Sequence, residues 1–81
     1  MADHMADHVY KVVELIGSSH DGIEKAVEGA IARASETIKS LEWFKVKEIR
    51  GNIENGKPGW YQVTLEVGFR VLDPADLHKE G

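Results

Sequence analysis

Two side chains in this 81-residue sequence combine in a way that points to a ligand, Trp43 and Gln62. An indole offers a flat face on which a planar ring can stack, and a carboxamide offers both donor and acceptor to the edge of a heterocycle. Together they suit a flat, hydrogen-bonding molecule. Each also has an ordinary reading: a tryptophan beside lysines is commonly an interface anchor, and a strand glutamine is commonly solvated surface. The remaining candidates lack workable spacing. Ser18, Ser19, His20 and Asp21 contain the residue types of a hydrolytic triad, but consecutive residues at a helix start cannot form the relay, and capping accounts for them. His4 and His8 are four apart but belong to the repeated start, not to a helix, and His20 in a loop and His78 in the tail stand alone, so no metal is expected. The run Gly17, Ser18, Ser19, His20 lacks the spaced glycines and lysine of a phosphate loop.

The element that must position Trp43 and Gln62 is a β-hairpin. Leu41 to Arg50 and Trp60 to Arg70 read as two strands joined through Asn55 and Gly56, a strong two-residue turn signal, with Pro58 and Gly59 pointing to a longer or bulged loop. Successive side chains on a strand face opposite ways. The second strand therefore sorts into Tyr61, Val63, Leu65, Val67, Phe69 and Val71 on a core face, and Trp60, Gln62, Thr64, Glu66, Gly68 and Arg70 on the other. In the first strand Phe44 and Val46 join the core, and Trp43 shares the polar face with Lys45 and Lys47. A turn centred on Asn55 and Gly56 pairs Trp43 with about Gly68, and Gln62 with about Ile49. The two candidate residues then lie six residues apart along the sheet, about 20 Å. A shared ligand would need a second copy of the chain or a strong bend.

Upstream, Val9 to Ile16 has the β-branched and aromatic composition of a first strand, of ambiguous register because Val12 and Val13 fall on opposite faces. A helix of about 18 residues follows: Ser18 or Ser19 can cap it with Asp21 in a capping box, and Ile23, Ala26, Val27, Ala30, Ile31, Ala34 and Ile38 form one apolar stripe. The fold class is α+β, in the order β-α-β-β: a three-stranded antiparallel sheet wrapped on one amphipathic helix. The helix covers one sheet face and nothing in the chain covers the other, so a closed homo-oligomer is expected.

Residues 1–81 make a single domain, small enough that its core alone supplies roughly 3–5 kcal/mol. Met1 to His4 recurs as Met5 to His8, read as a duplicated start or cloning extension, and residues 73–81 read as a flexible polar tail after the strand break at Asp73 and Pro74. There is no cysteine for a disulfide or thiolate site. A net charge of -4 argues against nucleic acid, and no apolar run is long enough to span a bilayer. A soluble, cytoplasmic protein is expected.

The β-α-β-β order, the alanine-rich helix, Trp43 just after it, and the run from Gly59 to Arg70 resemble the dodecin family of small flavin-binding proteins. The likeness covers about Met5 to Leu72. It implies a hollow homododecamer of cubic type, with pairs of flavins at two-fold axes held between tryptophans of two subunits. By that resemblance Trp43 stacks on the isoalloxazine and Gln62 bonds its pyrimidine edge. Arg50 resembles a position near the ribityl or phosphate part of FMN, a task that suits a planar fork of donors. Arg70 and His8 resemble basic positions that some bacterial members use for coenzyme A.

The resemblance therefore implies a non-enzymatic protein that stores, buffers or sequesters flavin, whether FMN, riboflavin or FAD. Two aromatic stacks would leave a substrate no access to the reactive ring. The alternative is a ligand-free homo-oligomeric scaffold whose tryptophans serve only the interface.

Overall fold

A computed structural model describes residues 8–71. Strand β1 is Tyr10–Ser19, helix α1 is Ile23–Ser35, β2 is Leu41–Glu54 and β3 is Lys57–Arg70. The repeated start at residues 1–4, the tail at 73–81 and the break at Asp73 and Pro74 lie outside the described residues.

The sheet order is β1-β3-β2, antiparallel throughout, with β3 in the middle. That placement follows from its cleaner alternation: Val63, Leu65 and Val67 are almost completely buried, while the residues between them face the other way. Pairing with β3 settles the register of β1. Val13, Leu15 and Gly17 lie opposite Val67, Leu65 and Val63 on the helix side. Ala26 completes the buried cluster, with Val13, Leu15, Val27, Ala30, Ile31 and Leu41 packed around it. Close approach of α1 depends on Gly17, where a Cβ would overlap the Ala26 carbonyl oxygen and press on the Ala30 methyl.

The helix is 13 residues long, shorter than its apolar stripe implies, and the expected capping box is absent. Ser18 and Ser19 stay in the β1 ladder opposite Gln62 and Tyr61. Ser19 Oγ instead accepts the Asp21 N–H at 2.9 Å, and Gly22, at φ 132, turns the chain into the helix without a side-chain cap. At the far end Ile38 N–H still reaches the Ala34 carbonyl, so the stripe runs on as a turn. Ser40, at φ 63, then reverses the chain and donates its hydroxyl to the Arg70 carbonyl at 2.8 Å.

The hairpin has the irregularity expected beside Pro58 and Gly59, but not a longer loop. Its loop is the minimal one, Asn55 and Gly56 both at positive φ with Glu54 opposite Lys57. Three irregularities interrupt the ladder: β2 carries an extra residue between Leu41 and Trp43 and another between Val46 and Glu48, and β3 carries one between Pro58 and Tyr61, opposite Gly51 and Ile53. Bulges bend and twist a strand. Pro58 is tolerated because β3 has there run past the end of β1, so its missing N–H breaks no ladder bond on that side.

Because β2 is the far edge of the sheet, α1 packs chiefly over β1 and β3. Phe44 and Val46 do lie on the helix side, opposite Val67 and Leu65, but remain 49% and 40% exposed instead of joining the core. Val71, also expected in the core, lies past the end of β3 and is exposed; its N–H bonds the Val9 carbonyl.

Candidate functional site

The sheet face turned away from the helix carries every candidate side chain. Trp43 lies opposite Gly68, as the hairpin reading expects, and Val12 flanks the same glycine from β1. The contact is unusually close. A Cβ built on Gly68 would collide with Cε2 and Cζ2 of the indole, with Nε1 next at 2.6 Å. Cε2, bonded to both other atoms, is the nearest of the three, which puts the glycine under the face of the ring and not at its edge. Gly68 is buried beneath it, while Trp43 remains 43% exposed. One face of the indole is seated and the other is free.

Lysines beside the indole are neutralised by neighbours. Lys45 Nζ is 3.6 Å from Glu66, and Lys47 Nζ is 3.8 Å from Glu66 and 3.5 Å from Glu14. Exposed pairs of this kind add little stability, on the order of 0–1 kcal/mol. Their effect here is to leave the aromatic surface without a strong net charge at its flank.

At the turn end of the same face, Gln62 lies opposite Arg50 and not Ile49. The irregularity near the turn, where Gly51 and Ile53 face Tyr61 and Pro58, puts one extra residue in β3 and moves the pairing by one. The bulge between Val46 and Glu48 adds one to β2 and restores the register before Trp43. The shift at Gln62 matters chemically, because Ile49 faces the helix side opposite Val63, whereas Arg50 faces Gln62 and donates its Nε–H to Oε1 at 3.3 Å. The amide nitrogen of Gln62 stays available as a donor. Trp43 and Gln62 are not brought together in one chain: six residues of β3 separate Gln62 from Gly68, about 20 Å. No single ring system spans that distance within one chain.

Arg70 and His8 do meet, Nη1 to Nε2 at 3.5 Å. Arg70 Nε is buried with no hydrogen-bond partner among the described residues. Next to it Tyr10, opposite Arg70, donates its hydroxyl to Glu42 at 2.9 Å. That hydrogen bond holds the phenol above its usual value, helped by desolvation and the carboxylate charge and opposed by Arg70. Tyr10 and Glu42 are not evident as a pair from sequence, since Glu42 reaches this face only as the bulged residue between Leu41 and Trp43. Gly68 was legible as the partner of Trp43, but its role as the seat of the ring emerges only from the fold.

Cavity size does not locate this site. A groove of about 550 Å³ runs between α1 and β1, floored by Leu15, Ala26, Ala30 and Ala34, and contains none of the candidate residues. A smaller hollow of about 140 Å³ is lined by Ile31, Leu41, Glu42, Trp43, Phe44 and Val67 and holds none of the other candidates. Among the described residues no group of three His, Asp or Glu is arranged to hold a metal ion.

A family model described as Dodecin matches residues 9–72. The chain belongs to the dodecin family. It is 56% identical over 63 residues to dodecin from Thermus thermophilus, covering 78% of this chain and 91% of that protein. Calcium dodecin from Mycobacterium tuberculosis is 30% identical over 63 residues, covering 78% of this chain and 89% of that protein. Among solved structures, a Thermus thermophilus protein superposes with a TM-score of 0.78 at 53% identity, covering 82% of this chain and 97% of that one. Dodecin from Streptomyces coelicolor gives 0.79 at 45% identity, covering 85% and 99%. The dodecin fold thus accounts for every described element, and the candidate residues from Trp43 to Arg70 fall inside the matched stretch.

Proposed function

We propose that this protein binds a flavin, FMN or riboflavin in the first place and FAD by the same ring, and stores, buffers or sequesters it without turning it over. The observation that carries the reading is the Trp43 indole seated flat on Gly68 with its other face free. A tricyclic isoalloxazine fits such a surface by stacking, and family membership supports the assignment. Gln62 meets the polar edge of the ring with its free amide donor. Arg50, held beside Gln62, is placed for a ribityl or phosphate group and favours FMN.

The 20 Å between Trp43 and Gln62 supports a site assembled from two copies, within the homododecamer proposed from the resemblance. The half-exposed Phe44, Val46 and Ile49 on β2 provide apolar surface for that assembly. Arg70 and His8, brought within 3.5 Å, suit a phosphate group and support coenzyme A as a second ligand at a separate position. We assign the protein to the cytoplasm; no described helix is long and apolar enough to cross a membrane.

The test is a titration of FMN into flavin-stripped protein at known subunit concentration, read by flavin fluorescence. Stacking on indole is expected to quench the emission, saturating near one flavin per chain. An unquenched titration at micromolar protein would leave the tryptophans as interface anchors and the protein as a scaffold.

A further inference from the structure

We infer that Gly68 is a positioning residue for the ligand: its missing side chain lets the Trp43 indole lie flat on the sheet and so sets the height of the stacking surface. The inference rests on the flavin reading of Trp43 and adds the feature that fixes where the ring stands. Gly68 belongs to a sheet face of exposed and half-buried side chains, yet it is itself buried, and the three atoms nearest its absent Cβ all belong to the indole.

Backbone conformation does not explain the glycine. Gly22 and Gly56 adopt positive φ, where other residues are strained, whereas Gly68 does not. A glycine inside a strand weakens it and commonly marks a place where something approaches the backbone closely. Here that something is an aromatic face. Non-bonded carbon atoms settle roughly 3.5–4.0 Å apart, so a methyl at Gly68, only 2.6 Å from Nε1 and nearer still to two ring carbons, would push the indole outward by roughly 1 Å. The strand cannot retreat, because Gly68 sits in the central β3 between Val12 and Trp43. A binding surface displaced by that distance falls outside the roughly 0.5 Å tolerance that ligand recognition allows. In a slot made from two copies the displacement enters twice.

The experiment compares FMN titrations of four proteins, native, Gly68→Ala, Trp43→Phe and the double variant, each checked for assembly by its size in solution. Gly68→Ala is expected to weaken FMN binding at least tenfold in the native background. In the Trp43→Phe background it should cost less than threefold, because the smaller ring removes the fused atoms that lie over the glycine. A role confined to strand stability would not depend on the residue at position 43. Equal penalties in the two backgrounds, or loss of folding in both, would overturn the inference. A Gly68→Ala chain that fails to assemble, but is rescued by Trp43→Phe, would support it by locating the same collision in folding. Native protein that binds no FMN would defeat the flavin reading itself and this inference with it. Native protein that binds, with Gly68→Ala binding as tightly, would defeat this inference alone.

Discussion

At one end of the open sheet face an indole rests on a glycine, and at the other, about 20 Å away, an arginine reaches a glutamine through one hydrogen bond. The first end is rigid. A tryptophan has two side-chain torsions, and its ring is held by contact with the backbone of a central strand. The second end is adjustable, because arginine and glutamine each give up as much as about 1.5–2 kcal/mol of rotamer entropy when fixed. Preorganisation favours affinity, so the contrast assigns binding strength to the Trp43 end and adaptation to the ligand's polar groups to the Gln62 end.

The largest effect should come from undermining both ends together. Leu65 is fully buried on the helix side of β3, midway between Gln62 and Gly68. Leu65→Ala is expected to destabilise the fold by about 2–5 kcal/mol. Denaturant unfolding measures this, and a loss below about 1 kcal/mol would mean the two ends do not depend on a common core.

Trp43→Ala separates them. Aromatic stacking on a heterocyclic base is worth about 1–3 kcal/mol by alanine substitution, so FMN affinity should fall roughly 5- to 150-fold with subunit assembly retained. Undiminished quenching, or dissociation into monomers, would remove the distinction between a stacking surface and an interface anchor. Gln62→Ala should have the smaller effect of a single hydrogen bond, about 0.5–1.5 kcal/mol, measured by the same titration. A penalty larger than that of Trp43→Ala would reverse the assignment of strength to the aromatic end.

The smallest effect concerns the Tyr10 to Glu42 bond beyond the indole. Tyr10 titrates above its usual value because it donates to Glu42, so the folded protein holds the phenolic proton more tightly than the unfolded chain does. The resulting stability is fully present below the ordinary tyrosine value of about 10 and is lost as pH rises through the raised folded value. Native protein should therefore melt slightly above Tyr10→Phe at pH 8, with the gap narrowing as pH rises past the ordinary tyrosine value of about 10. Parallel melting curves across that range would show that the hydrogen bond does not hold the proton.

Much of this contrast was legible before any fold was known. Alternation placed Trp43 of β2 and Gln62, Gly68 and Arg70 of β3 on one face, and the turn at Asn55 and Gly56 paired Trp43 with Gly68. Legibility failed where a single residue was inserted. The extra residue in β3 between Pro58 and Tyr61 replaced Ile49 by Arg50 as the partner of Gln62; Pro58 and Gly59 pointed to a bulge there, but not to the strand that would carry the extra residue. Phe44 and Val46 have the right parity for the core, yet parity does not say how far a helix reaches across a sheet. The expected helix exceeded α1 at both ends, because Ser18 and Ser19 pair with β3 instead of capping and the stripe past Ser35 continues to Ile38 only as a turn.

By itself the sequence determined the order of elements, the two-faced β3, the amphipathic helix and the family, because these depend on periods of two and of three to four residues and on local turn chemistry. The tertiary structure alone decided that the ring lies flat on Gly68, that Arg50 rather than Ile49 supports Gln62, and that α1 leaves β2 uncovered. Those outcomes depend on bulges and on the order of strands in the sheet, which arise from contacts between residues far apart in the chain and so leave no periodic trace along it.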